Sequence, residues 1–324
     1  MESTNPELYS YVPSGVPIKP EIIWMFDLDG TLTTNPNGNP YRCDDIIFFG
    51  DIKKMVRQLE DTGAVVAIIS NQADWSNYGG AKEKFKKLET ELPSVIQMVA
   101  TGKGSSYRKP HKKIYKALLD ILSTTHKELK EVYFVGDAAG EDHPYPAYRW
   151  ADSDKKFAET IGAVFKTPDE VIPKCILPAP SLEQELIIMV GNPGSGKSTT
   201  SRYYEPMGYE VINQDTLGTL PKVLKALKEA WAAGKSCIID STNPTFAKRL
   251  QYIGVCKQIT PIVHTRIFWH IRDGRPFNEL RMPEHRVGTI VYNMYTKHFE
   301  RPDLDHTLLI SEPMTRYDDI CIIY

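Results

Sequence analysis

The chain reads as a two-domain α/β protein with a mostly parallel sheet in each half. Three observations predict this. Its 324 residues suit two domains better than one or three. Short apolar runs alternate with runs of helical period in both halves, the pattern of βαβ units that build parallel sheets. Between the halves, Pro173, Pro178 and Pro180 punctuate residues 173–184. The expected division is a flexible lead-in at 1–20, a first domain at 21–176, a linker at 177–184 and a second domain at 185–324.

Each element has its own warrant. Met1 to Pro20 is polar and proline-containing, without the apolar core of a signal peptide. Glu21–Phe26 is an apolar run that ends at an aspartate pair, as a buried strand would. Asp51–Thr62 has helical periodicity and stops at Gly63, a suitable C-cap. Ala64–Ile69 predicts a second buried strand, Ala81–Glu91 a charged helix and Val95–Ala100 a third strand. Lys113–Leu122 follows as a helix and Val132–Val135 as a fourth strand. In the second half, strands are expected at Glu185–Val190, Val211–Ile212, Ser236–Ile239, Thr265–Ile271 and Leu308–Ile310. Helices are expected at Leu220–Ala233, Phe246–Lys257 and Val287–Phe299. Right-handed connections would then order both sheets.

Composition narrows the function classes. Hydrophobic residues at 41% and charged residues at 25% are ordinary for a globular protein. The net charge of −2 excludes a globally basic nucleic-acid binder and leaves a local basic face open. Five cysteines without a CxxC pair point to free thiols in a reducing compartment. No run approaches the ~18 apolar residues of a membrane span, so an intracellular protein is expected.

The first chemical signature is Asp27-Leu28-Asp29-Gly30-Thr31, placed where the first strand ends. Ser70 ends the second strand, Arg108-Lys109-Pro110 follows the third, and Gly136-Asp137 ends the fourth. In an open parallel sheet these carboxyl ends share one edge, where ligands bind. A carboxylate at 27 can attack phosphorus and form an aspartyl phosphate. A second at 29 can protonate the leaving oxygen and then deprotonate water, help worth roughly 10²–10⁴ in rate. Ser70 and Lys109 would hold the phosphoryl oxygens, with Asn71 and Arg108 on the substrate side. Asp27, Asp29 and Asp137 would hold a hard cation, Mg²⁺ being the natural choice. A further acidic ligand is expected among Glu141, Asp142, Asp152 and Asp154; Asp142 has the common spacing. These pieces resemble the haloacid-dehalogenase (HAD) superfamily of phosphatases. Only 36 residues separate Asn71 from Arg108, and 16 separate Thr34 from Asp51. Neither gap holds a large lid domain. In the resembled superfamily, lidless members tend to act on macromolecular ends, so an open site is expected.

The second signature is Gly191-Asn192-Pro193-Gly194-Ser195-Gly196-Lys197-Ser198-Thr199, a complete GxxxxGK[ST] loop between a strand and a helix. Gly191, Gly194, Ser195 and Gly196 would let backbone N–H groups cradle the phosphates of ATP. Lys197 would reach the β/γ-phosphates and Ser198 the Mg²⁺, with Thr199 also in the ATP-binding set. Asp215, after a short strand, is placed to take a proton from an attacking hydroxyl, unless it merely caps a helix. Asp240 and Asn243, in Ile239-Asp240-Ser241-Thr242-Asn243-Pro244, are substrate-side candidates, with support of the metal the alternative for Asp240. The arginine-rich stretch 272–286 reads as a lid that brings Arg272, Arg275, Arg281 or Arg286 to the transferring phosphoryl, Arg281 first among them. Such an arginine can be worth 10³–10⁵ in rate.

Taken together, FDLDGTLT at Phe26–Thr33, SNQ at Ser70–Gln72, YRKP at Tyr107–Pro110 and VGDAAG at Val135–Gly140 resemble the polynucleotide kinase 3′-phosphatase family. So do GNPGSGKST at Gly191–Thr199, NQDTLG at Asn213–Gly218 and YNMYTKHFERP at Tyr292–Pro302. The resemblance implies a HAD-like (Rossmannoid) phosphatase domain followed by a P-loop kinase domain. It implies removal of 3′-phosphate from broken DNA and ATP-dependent phosphorylation of 5′-hydroxyl ends, preparing breaks for a ligase. It also implies nuclear residence. Gln214 stands where animal members often carry Arg. The phosphopeptide-binding module of animal members is not expected, because only about 21 residues precede the first strand. The residues leave DNA against RNA open, together with any ligase or scaffold partner. The competing reading is a small-molecule phosphatase fused to a nucleoside or sugar kinase.

Overall fold

The computed structural model describes residues 6–34, 46–75, 80–144, 148–173, 177–278, 281, 286–302 and 319–323. The chain divides into two compact units, 1–174 and 175–324. Each is built on its own sheet.

In the first unit the strands are β1 (Leu8–Tyr11), β2 (Ile22–Phe26), β3 (Thr33–Thr34), β4 (Ile47–Phe48), β5 (Val65–Gln72), β6 (Ile96–Thr101), β7 (Glu131–Val135) and β8 (Val164–Lys166). Six of them form one sheet in the order β1-β6-β5-β2-β7-β8. All pairings in it are parallel except β1 with β6. Val65 to Ile69 are buried on both faces of β5, which is why this strand reads as an unbroken apolar run. Helices α1 (Ile52–Asp61), α2 (Ala81–Glu91), α3 (Lys113–Ile121), α4 (Ser153–Ile161) and the short α5 (Pro168–Val171) complete the unit. Asp51 caps α1 by accepting from the Lys54 amide at 3.0 Å, and Ile52, Met55 and Val56 give it one buried stripe. Ile23, Met25, Ala67, Ile69, Met98, Phe134 and Phe157 form the solvent-free centre of the core.

The lead-in departs from expectation. Leu8–Tyr11 is an antiparallel edge strand with Leu8 opposite Ala100 and Tyr11 opposite Gln97. The strand is only four residues long and lies in a proline-containing stretch, too short to show a periodicity. The strand also holds the loop that follows β6. Glu7 O accepts from the Thr101 amide (3.1 Å) and Ser105 Oγ (2.7 Å), and Glu7 Oε2 from Ser106 Oγ (2.6 Å). The Ser106 side chain and amide hold the Glu7 carboxyl below its ordinary range.

The second unit holds β9 (Glu185–Val190), β10 (Glu210–Asn213), β11 (Cys237–Asp240), β12 (His264–His270) and β13 (Asp319–Ile323), ordered β10-β11-β9-β12-β13 and all parallel. Its helices are α6 (Lys197–Tyr204), α7 (Gln214–Leu217), α8 (Leu220–Ala232), α9 (Phe246–Lys257), α10 (Arg275–Asn278) and α11 (Thr289–His298). The strand expected at 308–310 lies outside the described residues, and β13 was not anticipated. Cys237, Cys256 and Cys321 are free thiols; Cys43 and Cys175 lie outside the described residues. Among the described residues, no helix is long and apolar enough to cross a membrane.

Both sheets share one topological property. From β2 the chain builds outward through β5 and β6, then crosses to β7 on the other side. From β9 it builds β10 and β11 on one side and β12 on the other. Each reversal opens a crevice at the carboxyl end of the first parallel strand. Asp27 follows β2, and Gly191 follows β9.

Candidate active sites

At the first crevice, Asp27, Asp137 and Asp154 bring one carboxylate oxygen each within 4.8 Å of one another. All three are buried, at 8%, 7% and 2% exposure. Lys109 Nζ lies 2.6 Å from Asp27 Oδ1 and 2.7 Å from Asp154 Oδ1. Burial raises the Asp27 pKa to about 7 against the pull of Lys109, with Asp154 adding to the rise. Burial, then the charges of Asp27 and Asp154, raises Asp137 as well. For Lys109 burial opposes the ammonium, but Asp154 and Asp27 outweigh it and raise the pKa. Three acidic groups against one lysine leave an excess of negative charge, and Asp137 Oδ1 is buried without a hydrogen-bond partner. That donor set fits a hard divalent cation. Gly30 is needed here: at φ +84° a Cβ would come within 2.2 Å of Asp137 Oδ2.

The structure resolves the acidic alternatives in favour of Asp154, in the first turn of α4. Asp142, favoured by spacing, is exposed, and Asp152 pairs with Lys156 at 2.6 Å. Sequence distance misled because Ala139 N donates to Tyr148 O (3.0 Å) and Gly140 N to Ala151 O (2.7 Å), which brings α4 back beside Asp137. Asp29 also departs from expectation as a cation ligand. Its carboxylate is outside the three-acid group and is held by Lys84 Nζ and by Gln72 Nε2 at 2.7 Å. Lys84, only 5% exposed, was missed; nothing distinguishes it from the other lysines of α2 in the sequence.

A cavity of about 480 Å³ opens over this group and is lined by Asp27, Asp29, Ser70, Asn71, Arg108, Lys109 and Trp150 among others. Ser70 Oγ accepts from Gln72 Nε2 at 2.8 Å. Arg108 Nη1 donates to Gly102 O at 3.3 Å. Asn71, expected to touch substrate, lines the cavity and also clamps the loop. Its Nδ2 donates to Lys109 O (3.0 Å) and its Oδ1 accepts from Lys109 N (2.8 Å).

At the second crevice a cavity of about 450 Å³ is lined by Gly194, Gly196, Lys197, Ser198, Thr199, Asp215, Asp240, Lys248 and Arg281, with others. Gly194 has φ +82°, and a Cβ there would meet Gly274 O at 2.6 Å. Gly191 and Ser195 stand behind this lining and shape the loop; Ser195 O contacts His270 Nδ1 at 3.2 Å. Lys197 Nζ donates to Asn192 O at 2.6 Å. Burial lowers its pKa to about 8, with Asp240 opposing. Asp240 Oδ2 accepts from Asn213 Nδ2 at 2.9 Å.

Asp215 does not cap α7. Asn213 does, accepting from the Thr216 amide at 3.0 Å, and this leaves Asp215 exposed on the cavity wall. Of the four candidate arginines, Arg281 lines the cavity. Arg275 pairs with Asp273 at 2.7 Å, Arg272 lies over the Phe277 ring, and Arg286 Nε donates to Arg281 O. Residues 279–280 and 282–285 of the proposed lid lie outside the described residues. Asn243 is a correction. It is fully buried, with Nδ2 donating to Met189 O (2.8 Å) and Oδ1 accepting from Tyr252 (3.0 Å), so it ties strands together. Lys248 was missed. From α9 its Nζ reaches Gln214 Oε1 at 2.7 Å and Ser241 Oγ at 3.2 Å, and burial lowers its pKa while Asp215 opposes. A partly buried cation with neutral partners on a phosphate cavity marks a place for an anion.

Comparison with known proteins agrees with this geometry. A bifunctional polynucleotide phosphatase/kinase of Schizosaccharomyces pombe is 27% identical over 316 residues, covering 86% of this chain and 76% of its own. A protein of Acanthamoeba polyphaga mimivirus, assigned the same bifunctional name, is 26% identical over 382 residues, covering 96% and 89%. The solved structure of a gluconokinase from Sinorhizobium meliloti covers 42% of this chain and 82% of its own at 16% identity and a TM-score of 0.28, too distant to bear on function. Residues 22–172 match the family described as polynucleotide kinase 3 phosphatase. With an α/β unit carrying a carboxylate–lysine cluster and a second carrying a phosphate cradle, the chain is similar over most of its length to the bifunctional polynucleotide phosphatase/kinases, and its first unit matches the polynucleotide kinase 3 phosphatase family.

Proposed function

We propose that this protein heals broken DNA ends, removing a 3′-phosphate in its first unit and transferring the ATP γ-phosphate to a 5′-hydroxyl in its second. One observation carries the reading: a buried carboxylate–lysine cluster and a phosphate cradle occupy equivalent crevices of two separate sheets in one chain. The relatives bear the polynucleotide name over most of their length, which favours this over a fused pair of metabolic enzymes. Action on DNA would put the enzyme with the genome, in the nucleus of a nucleated cell.

In the phosphatase, an Asp27 oxygen attacks phosphorus and the bond to the 3′-oxygen breaks. Asp29 gives that oxygen its proton. Water then attacks the aspartyl phosphate, loses a proton to Asp29 and releases inorganic phosphate, restoring the Asp27 carboxylate. Lys109 and Ser70 hold the phosphoryl oxygens. A divalent cation, Mg²⁺ by preference, on Asp27, Asp137 and Asp154 would supply the charge neutralisation that lets a carboxylate approach a phosphate dianion. In the kinase, Asp215 takes the proton of the 5′-hydroxyl, whose oxygen attacks the γ-phosphorus as ADP departs. Lys197 and Arg281 stabilise the equatorial oxygens, Ser198 would help hold the nucleotide's Mg²⁺, and Lys248 takes an acceptor phosphate beside Gln214. The test is a nicked duplex with 3′-phosphate and 5′-hydroxyl ends, given Mg²⁺ and labelled ATP, on DNA and RNA strands in parallel. Conversion of both DNA ends is expected. Turnover confined to free mononucleotides or sugar phosphates would overturn the reading.

A further inference from the structure

Trp150 lines the phosphatase cavity, yet the phosphoryl chemistry does not use its ring. The side chain is 58% exposed. Its Nε1 donates to Asp137 Oδ2 at 2.9 Å. The polar edge of the indole is thus fixed to a buried carboxylate at the centre of the site, while most of the ring faces water. The other four tryptophans are accounted for by packing. Trp24 stacks on Tyr133 with centroids 4.0 Å apart, and Trp75 lies 4.9 Å from Tyr9. Trp231 is buried with its Nε1 on Thr260, and Trp269 is buried beside Phe299. Among the described residues, the Trp150 ring stacks on no aromatic partner. An exposed indole forgoes favourable burial, and here a hydrogen bond keeps it at the cavity mouth.

The ligand that would cover it follows from the site. A phosphate seated against Lys109 and Ser70 puts its ester-linked sugar at the mouth, and the base beyond it. A nucleobase offers a flat π-face of matching size. We propose that Trp150 is the stacking platform for the 3′-terminal base, so that the phosphatase prefers strands ending in a base-bearing nucleotide over abasic ends. The inference rests on the polynucleotide 3′-phosphatase reading above and adds a specificity determinant to it.

The experiment compares kcat/KM on two 3′-phosphorylated oligonucleotides that differ only in whether the terminal sugar carries a base. The wild type is expected to favour the base by roughly 5- to 150-fold, the range supplied by one base–aromatic stack. W150F should keep most of that preference and W150A should bring the ratio near one. Both variants lose the bond to Asp137, so that loss cancels in the ratio. A W150A protein that still favours the base, or a W150F protein that loses the preference as fully, would overturn the proposal. A second measurement does not depend on the variants: 2-aminopurine at the 3′ terminus should be quenched on binding to D27N, and several nucleotides upstream it should not. Absence of terminal quenching would also overturn it. If the wild type hydrolyses neither oligonucleotide, the phosphatase reading itself fails; equal hydrolysis of both sinks only the stacking.

Discussion

At the scale of single residues, burial sets the chemistry. His270 lies behind the phosphate loop at 3% exposure. Burial, reinforced by Lys197, lowers its pKa to about 3 from an ordinary 6.5. Between those values the unfolded chain binds a proton that the folded chain does not. The stability contribution is therefore intact above pH 6.5 and is lost as pH falls, by about 1.4 kcal/mol per pH unit. H270Q should flatten the change in urea midpoint between pH 7 and pH 5; equal slopes in both proteins would refute a neutral buried imidazole. Lys84 belongs to the same scale. It holds Asp29, so K84M should slow 3′-phosphate removal about tenfold or more, a fraction of the gain from acid–base help. The loss should shrink for an ester with a phenolate leaving group, which needs no proton. A uniform loss would assign Lys84 to structure alone.

At the scale of elements, β1 matters beyond its four residues. It covers the edge of β6 and grips the loop that delivers Arg108 and Lys109. Tyr9 is 6% exposed, lies 4.9 Å from the Trp75 ring and 6.4 Å from Phe85, and bonds Glu89. Y9A should cost about 3 kcal/mol in chemical unfolding, the loss typical of a large buried aromatic. It should also lower phosphatase turnover while leaving phosphorylation of 5′ ends unaffected. An unchanged unfolding midpoint would make β1 a passenger. The element also shows where reading failed. Four residues just ahead of prolines at 13, 17 and 20 are too few to announce a strand, and their pairing depends on the edge of β6.

At the scale of the whole molecule, two units carry two crevices, and the reactions should separate. D27N is expected to abolish 3′-phosphate removal, a loss of at least 10³-fold for a missing nucleophile, and to spare 5′-phosphorylation. K197A should do the converse. The labelled nick reports both at once, and loss of both activities in either folded variant would mean that the centres are not independent. This scale also explains Lys84, Asp154 and Lys248. Each reaches its site from a helix whose orientation follows from packing on the sheet, so no local motif announces it.

The linear chain by itself determined the class of each unit, the strands that end at the sites, and the residues Asp27, Lys109, Asp137 and Lys197. These sit in tight turns at strand ends, where a few adjacent residues dictate backbone geometry and side-chain chemistry together. Tertiary structure alone decided which acid joins Asp27 and Asp137, that Asp29 faces Lys84, that Asn71 and Asn243 brace the backbone, and that Trp150 stands at the cavity mouth. Those outcomes depend on contacts between segments far apart in sequence, whose approach is fixed by how helices pack against a sheet and not by any spacing along it.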